Sequence, residues 1–244
     1  MVTFDTTHFR TILGDTSLQF MLYKIFSYNN LNSIYHIEMA TLVNFGKEIQ
    51  NGYFKDNSYH NQDHVIDSMQ GMHFMMKVGG IRKVLKSHDL FSAYVSCLIH
   101  DFEHPGYSNA FIIRTKHPLA IRYSDISVLE NHHLASAFSV LFDPVKKANI
   151  MLNMPLDLQK EVRKTIIRAV LSTDMSKHFS MLTELKTKLG NNFPNPESVE
   201  DRNLIVSVSL RIASQFKVCR ERVTFFKWID NMFDEFFKQG DMEK

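Results

Sequence analysis

The 244-residue sequence predicts an all-α fold, a compact multi-helix bundle built around a cluster of histidine and aspartate side chains. Apolar residues recur at helical spacing through most of the chain, whereas no stretch shows the apolar and polar alternation of a half-buried strand. The first proline is Pro105, so the N-terminal hundred residues can form helix after helix.

The first clear helix is predicted at residues 34–53, where Leu42, Phe45 and Ile49 follow a period close to 3.6. The predicted helix at 61–78 stops at Gly79 and Gly80, and the one at 88–99 is almost entirely apolar, which predicts a place deep in the core. Further helices are predicted at residues 126–142, 156–171, 175–189, 204–218 and 223–238.

The loop at residues 190–198 is the only plausible linker, and apolar helices on both sides of it favour a single domain over residues 1–244. On the last helix, a series of aromatic residues at helical spacing predicts core packing rather than a binding box. This series consists of Phe225, Phe226, Trp228, Phe233, Phe236 and Phe237.

The charge composition predicts a small partner rather than nucleic acid or a membrane surface. Its 28 basic and 26 acidic residues leave a net charge of only +2, and no run of 18 apolar residues occurs. Cys97 and Cys219 lie in apolar stretches, which predicts buried free thiols and a reducing, cytoplasmic location. The sequence leaves open a homodimer, regulatory segments outside these residues and a longer, membrane-tethered parent.

Histidines and an aspartate form the first candidate site. His60 and His64 are four residues apart, so they share one face of a helix, although such a pair arises easily by chance among twelve histidines. His100 and Asp101 end the apolar helix, and His104 follows just before a Pro-Gly turn. A shared metal ion would offset the cost of placing these polar groups at the edge of the core.

Two further segments supply polar groups that can face the same site. Glu130 lies on a helix with an apolar face and can reach inward as an orienting group. Thr173, Asp174 and Met175 lie between two helices, where Asp174 is equally well explained as an N-cap. Imidazole and carboxylate ligands suit zinc, iron or manganese, and a carboxylate shared by two ions suits zinc beside magnesium or manganese. Two metal ions would indicate phosphoryl chemistry.

Five segments, in their order and spacing, resemble the class I 3′,5′-cyclic nucleotide phosphodiesterase catalytic domains of eukaryotes. The resemblance extends from about Phe4 to Lys244. The matching segments are Tyr59-His60-Asn61 with His64, His100 to Gly106 with Asn109, VLENHHLA at 128–135, TDMSKH at 173–178 and EFFKQGDME at 235–243.

The resemblance implies two divalent metal ions, Zn²⁺ at the first position and Mg²⁺ or Mn²⁺ at the second. It implies that His64, His100 and Asp101 bind the first ion and that Asp101 also bridges to the second. His60 would be the general acid, and Glu243 would accept its other N–H.

The resemblance also implies the surroundings and the reaction. His104 and Glu130 would act through metal-bound waters, and Tyr59, Thr173 and Met175 would surround the substrate. The expected reaction is hydrolysis of cAMP or cGMP to the 5′-nucleoside monophosphate in signal transduction.

Two features depart from that family's pattern. Its remaining metal-binding Asp lies fourteen residues before a tryptophan, and counting back from Trp228 reaches Ser214, whose hydroxyl is a weak metal ligand. The family's domain also continues for several helices after the position of Lys244, and these helices carry the residues that hold the purine. We therefore expect a domain that lacks its last helices, and the sequence leaves the preference for cAMP or cGMP open.

Two alternatives to the active enzyme stay open. Ser214 favours a catalytically impaired relative that serves as a regulatory or binding module, whereas the retention of His60, Glu130 and Glu243 argues against it. The other alternative is a His-Asp phosphohydrolase that acts on another nucleotide, and the matches at 59–64 and 128–135 argue against that.

Overall fold

The computed structural model describes residues 3–190 and 193–244, and these residues contain helices, turns and loops but no β-strand. The all-α prediction is thus confirmed. None of the helices within these ranges has the length and hydropathy needed to cross a membrane. The α-helices are α1 (Thr6–Leu13), α2 (Ser17–Tyr28), α3 (Leu31–Ile34), α4 (Met39–Asn51), α5 (Gln62–Lys77), α6 (Ser87–Ile99), α7 (Asn109–Arg114), α8 (Pro118–Arg122), α9 (Val128–Phe142), α10 (Leu156–Leu171), α11 (His178–Leu189), α12 (Val199–Ser214) and α13 (Arg222–Met242).

Some helix boundaries differ from the predicted ones for local reasons. The predicted helix at 34–53 begins only at Met39, because His36 has a φ of +50° and interrupts the helical run. α12 begins five residues earlier than predicted, where the Ser198 side chain accepts a hydrogen bond from the Asp201 amide. The last residues of the helix predicted at 204–218 instead belong to a separate 3-10 turn at Phe216–Cys219.

α6 lies at the centre of the core and packs against α5, α10 and α12. Every residue from 89 to 99 is buried, as the apolar run predicted. The Asp89 carboxylate accepts a hydrogen bond from the Lys86 amide at 2.9 Å, and it also accepts one from Arg202 Nε at 2.7 Å. Both charged side chains of this ion pair are buried, so it ties α12 to the start of α6.

The core includes residues on both sides of the 190–198 segment, for example Val170 of α10 and Val206 of α12. Residues 191 and 192 of that segment lie outside the described residues. The core is therefore continuous across this segment, and the single domain over residues 1–244 stays a prediction.

The cysteine prediction is half right. Cys97 is buried within α6, as expected. Cys219 is exposed instead, because it lies at the end of a 3-10 turn whose buried contacts are made by its neighbours Phe216 and Lys217.

The prediction that the aromatic residues of α13 form core is wrong for most of them. Trp228 is buried against Tyr59, with ring centroids 5.8 Å apart. α13 packs mainly on the preceding 3-10 turn, which leaves much of its remaining surface in solvent. The exposed aromatic residues are Phe226, Phe233, Phe236 and Phe237.

Candidate active site

The start of α5 is fixed by an asparagine cap. Asn61 Oδ1 accepts hydrogen bonds from the amides of Asp63 at 2.9 Å and His64 at 3.4 Å. Its Nδ2 donates to the carbonyls of Asn57 at 2.8 Å and Ser58 at 3.1 Å. The cap therefore holds the preceding loop against the first turn of α5, which places His64 inside the protein.

The end of α6 is followed by a turn whose conformation is held by close packing. Glu103 and Gly106 have φ values of +57° and +82°. Phe102 packs so closely on Gly52 that a Cβ atom there would lie 2.0 Å from its ring, and the Glu103 amide donates to the Gly52 carbonyl at 3.2 Å. This contact requires glycine at position 52 and fixes the turn at 100–106.

His64, His100 and Asp101 converge from α5 and the end of α6. Asp101 Oδ2 lies 3.0 Å from His64 Nε2 and 3.1 Å from His100 Nε2, and the two nitrogens are 3.2 Å apart. Tetrahedral ligands at about 2.0 Å from a zinc ion are about 3.3 Å from one another. His100 Nδ1 donates to the Cys97 carbonyl at 2.8 Å, which leaves Nε2 as the ligand atom. The donor set fits one zinc-sized ion.

The electrostatics of His64 and Asp101 favour the protonation states that a metal ion requires, whereas Asp101 raises the pKa of His100 despite the burial of that imidazole. Burial lowers the pKa of His64 to about 3, against the opposing effect of Asp101. Burial opposes ionisation of Asp101, but His100 and His64 together hold the pKa of that carboxyl well below its usual range. A neutral His64 and an ionised Asp101 are the forms that bind metal ions.

A second pair, His60 and Glu235, lies beside the cluster. Glu235 Oε1 accepts hydrogen bonds from the amides of Tyr59 and His60, both at 2.7 Å, and Oε2 lies 2.7 Å from His60 Nδ1. Because a carboxylate accepts, Nδ1 carries the proton, and Nε2 is the nitrogen left for a substrate. Burial raises the pKa of the Glu235 carboxyl, but the hydrogen bonds and the charge of His60 lower it by more, so this pKa lies below its usual value.

The prediction that Glu243 is the partner of His60 is wrong. Glu243 lies 2.6 Å from Arg114 in an ion pair. It is eight residues beyond Glu235 on α13, about 12 Å along the helix axis, so the two carboxylates cannot reach the same imidazole.

His104 lies directly under His60, with stacked rings whose centroids are 3.7 Å apart. Its Nδ1 accepts a hydrogen bond from the Gly106 amide at 3.0 Å. Burial, with a contribution from His60, lowers the pKa of His104 well below its usual range. His104 is therefore a neutral imidazole whose remaining nitrogen, Nε2, carries the proton.

A pocket of about 430 Å³ opens beside His60. Glu130 borders it and accepts a hydrogen bond from Asn109 Nδ2 at 3.0 Å, while Asn109 Oδ1 accepts one from the Leu129 amide at 2.9 Å. Burial raises the pKa of Glu130. Residues from five separate segments line the pocket, among them His60, His104, Asn109, Glu130, Thr173, Asp174, Met175 and Glu235.

The geometry of Asp174 supports the N-cap interpretation. Its carboxylate accepts from the Ser176 amide at 2.8 Å and from Ser127 Oγ at 2.7 Å. Thr173 and Met175 border the pocket on either side of it.

Ser214 ends α12, and its hydroxyl donates to the Arg211 carbonyl at 3.0 Å. The side chain that enters this region is instead Lys217, whose Nζ contacts the Tyr59 hydroxyl and donates to the Ser214 carbonyl at 3.2 Å. Burial lowers the pKa of Lys217 to about 8, although Asp67 and Asp101 oppose this.

Sequence reasoning missed three residues that shape the site. The only sequence feature that could have indicated a buried Lys217 is the apolar character of its neighbours. The only feature that could have indicated Glu235 is its place in the same motif as Glu243. Asn57 gave no signal, yet its Nδ2 donates to the carbonyls of His60 at 3.0 Å and His104 at 2.7 Å. It thereby ties the segments that carry His60 and His104 together.

Comparisons with known proteins give one consistent result. The family model described as 3′5′-cyclic nucleotide phosphodiesterase matches residues 59–244. The dual specificity calcium/calmodulin-dependent 3′,5′-cyclic nucleotide phosphodiesterase 1C of Homo sapiens is 35% identical over 98% of this chain, and the Mus musculus protein of the same description is 34% identical over 98%. The chain spans 33% of the length of each of these relatives.

The fold also matches a solved structure. The phosphodiesterase domain of the RhoPDE fusion protein from the choanoflagellate Salpingoeca rosetta superposes with a TM-score of 0.91 at 26% sequence identity. The match covers all of this chain and 75% of that one.

Proposed function

Because the chain belongs to the 3′,5′-cyclic nucleotide phosphodiesterase family, we propose that it binds a cyclic nucleotide in the pocket beside His60 and hydrolyses it to the 5′-monophosphate. One observation carries this proposal. The His60–Glu235 pair lines the pocket, and the His64–His100–Asp101 cluster lies next to this pair, with the ring centroids of His60 and His64 5.9 Å apart. A cytoplasmic role in cyclic nucleotide signalling follows from the same proposal.

The proposed metal ligands are His64, His100 and Asp101 for Zn²⁺, with Asp101 shared with Mg²⁺ or Mn²⁺. Divalent ions bound there would lower the pKa of water and offset negative charge on the phosphate. Within the protein, Asp101 supplies the negative charge of this donor set, while Glu130 and His104 are placed to orient water at the rim of the pocket.

His60 is the proposed general acid. Water adds to phosphorus, the bond from phosphorus to O3′ breaks, and O3′ takes the proton from His60 Nε2. Glu235 holds Nδ1 protonated throughout, so its negative charge stabilises the imidazolium that donates this proton. The proton released by water then restores His60, and the net reaction consumes one water molecule.

Two further residues that line the pocket are candidates for contact with the nucleotide. We infer that Thr173 and Met175 contact the nucleotide, because both line the pocket opposite the His60 segment and Met175 is largely exposed to it or to solvent. Tyr59 has a different place, since its buried hydroxyl contacts Lys217. We propose that Tyr59 positions that lysine.

A second candidate function is a catalytically impaired module that binds cyclic nucleotide without turning it over. The observation that favours it is the Ser214 hydroxyl, which is bonded to its own helix and adds no negative charge to the metal ligands. A hard ion such as Mg²⁺, which prefers oxygen ligands, is held weakly by a site with a single carboxylate.

The decisive experiment measures hydrolysis of cAMP and cGMP by the purified protein with added Zn²⁺ and Mg²⁺ or Mn²⁺. We expect His60→Asn to lower turnover by about 10² to 10⁴, the usual contribution of a positioned general acid, without changing metal content. His8→Asn is the control, because His8 is exposed on α1.

Two results would contradict the assignment. Nucleotide binding without hydrolysis by the parent protein would favour the second candidate. Loss of metal from His60→Asn in elemental analysis would mean that His60 is itself a ligand.

A further inference from the structure

Lys217 puts a buried positive charge next to the candidate metal ligands. Its side chain is 3% exposed, and Nζ lies 4.7 Å from the centroid of the Tyr59 ring. That ring in turn packs against the His64 imidazole, with centroids 4.8 Å apart. The ammonium group therefore acts on the cluster from within the same buried region.

The turn that carries Lys217 is held from both sides. Phe216 packs so closely on α5 that a Cβ atom on Gly71 would lie 2.4 Å from its ring. Three residues after Lys217, the guanidinium of Arg220 lies 5.0 Å from the Phe216 ring, and its Nε donates to Asp67 at 2.8 Å. Both partners of this ion pair are buried. The place of Lys217 is thus set by packing on each side of it.

A buried cation is part of the charge balance around the candidate metal ligands. Among the three candidate ligands only Asp101 is anionic, and Ser214 adds no charge. The nearby carboxylate of Asp67 is already paired with Arg220. The buried ammonium group of Lys217 therefore lies beside a donor set that has a single carboxylate, and a divalent ion that binds there would meet its repulsion in a medium of low dielectric constant.

We propose that Lys217 is a built-in counter-cation of the His64–His100–Asp101 cluster, which weakens the affinity of this cluster for divalent metal ions. The inference deepens the proposed function because it concerns the same site. The inference concerns metal binding in the absence of substrate, so an experiment can refute it without refuting the proposed function, and the reverse is also true.

The test is the zinc affinity of Lys217→Gln, which keeps polar donors near the Tyr59 hydroxyl and the Ser214 carbonyl but removes the charge. We expect the Kd for Zn²⁺, measured by competition with a chelating dye, to fall by about 10- to 100-fold, the range typical for changes in the surroundings of metal ligands. Lys217→Arg should keep the parent affinity. The control is Lys227→Gln, which removes one charge from an exposed position on α13.

The metal-free protein gives a second readout. With a chelator removed and Zn²⁺ added, the unfolding temperature of Lys217→Gln should rise by more than that of the parent, because a ligand that binds the folded state more tightly stabilises it more. A variant that folds only with zinc would support the inference.

Equal zinc affinity of the parent, Lys217→Gln and Lys227→Gln would overturn the inference, and so would a Lys217→Gln protein that stays unfolded with zinc present. A parent that hydrolyses no cyclic nucleotide would refute the proposed function but leave this comparison of affinities intact.

Discussion

Replacement of Glu235 by glutamine tests how the candidate general acid is held. The carboxylate of Glu235 accepts three hydrogen bonds of 2.7 Å, two from the amides of Tyr59 and His60 and one from His60 Nδ1. In Glu235→Gln the amide oxygen can still accept from both backbone amides. The amide nitrogen must then face His60 Nδ1, where two donors cannot meet.

The substitution therefore changes the tautomer of His60. Nδ1 becomes the acceptor and the proton of the neutral ring moves to Nε2, and the carboxylate no longer stabilises the imidazolium. Since the general acid contributes about 10² to 10⁴ to the rate, we expect kcat to fall within that range, which corresponds to about 3 to 5 kcal/mol in the barrier. The backbone contacts stay, so the fold and the metal content should not change.

The assay compares kcat for cAMP and cGMP in the parent, Glu235→Gln and Glu243→Gln. The last variant is the matched control, because Glu243 pairs with Arg114 on the surface and should change kcat less than about twofold. Nitrogen NMR of the imidazole gives an independent readout of the tautomer. Equal losses in both variants, or a loss in Glu243→Gln alone, would refute the assignment of Glu235.

Two more predictions concern the metal cluster and its surroundings. Burial lowers the pKa of His64 to about 3, that of His133 to about 4 and that of His104 well below its usual range. Each of these histidines has a pKa of about 6.5 in the unfolded chain, so below that pH the unfolded chain binds more protons than the folded protein. We therefore expect the free energy of unfolding to fall as the pH drops from 6.5 to 5, by about 2 kcal/mol for each fully buried ring. Denaturant titrations in the presence of a chelator measure this change. The raised pKa of His100 acts in the opposite direction and offsets part of this loss; stability that is flat over this range would contradict the prediction. Ser214→Asp should lower the Kd for Zn²⁺ or Mn²⁺ in calorimetric titration by about tenfold, because it adds an anionic oxygen, and an unchanged Kd would show that the side chain at 214 does not face the site.

Most of the fold could be predicted from the sequence because its signals are local. The apolar run of 88–99 is almost fully buried in α6, and the 3.6-residue period of 156–171 matches α10 to the residue. The boundary errors arose where a single residue breaks the pattern. His36, with its positive φ, leaves no mark in an apolar period.

Part of the site could be predicted as well. The helix pattern placed His64, His100 and Asp101 at helix ends, but only the family resemblance implied that these three residues form one donor set. The partner of His60 could not be chosen in this way. Glu235 and Glu243 occupy the same helix, and the choice between them depends on how α13 meets the loop before α5.

The aromatic residues of α13 show the limit of periodicity. Helical spacing of Phe226, Phe233 and Phe237 indicates a helix with an apolar surface, but it does not indicate what covers that surface. In the structure only Trp228 packs into the core, because the 3-10 turn and Tyr59 contact that one side of α13.

Ser214 and Lys217 act on the same charge balance, so neither residue can be interpreted alone. The Lys217 ammonium already bonds to the backbone carbonyl of residue 214, and a carboxylate introduced there would lie within reach of it. Part of the added negative charge would then pair with the lysine rather than with a metal ion. A neutral residue at 214 and a cation at 217 leave one carboxylate, Asp101, and one buried ammonium group at the candidate metal ligands, whereas an acid at 214 beside a neutral residue at 217 would place two carboxylates there. The metal affinity that we propose for this site therefore depends on the pair of residues and not on residue 214 alone.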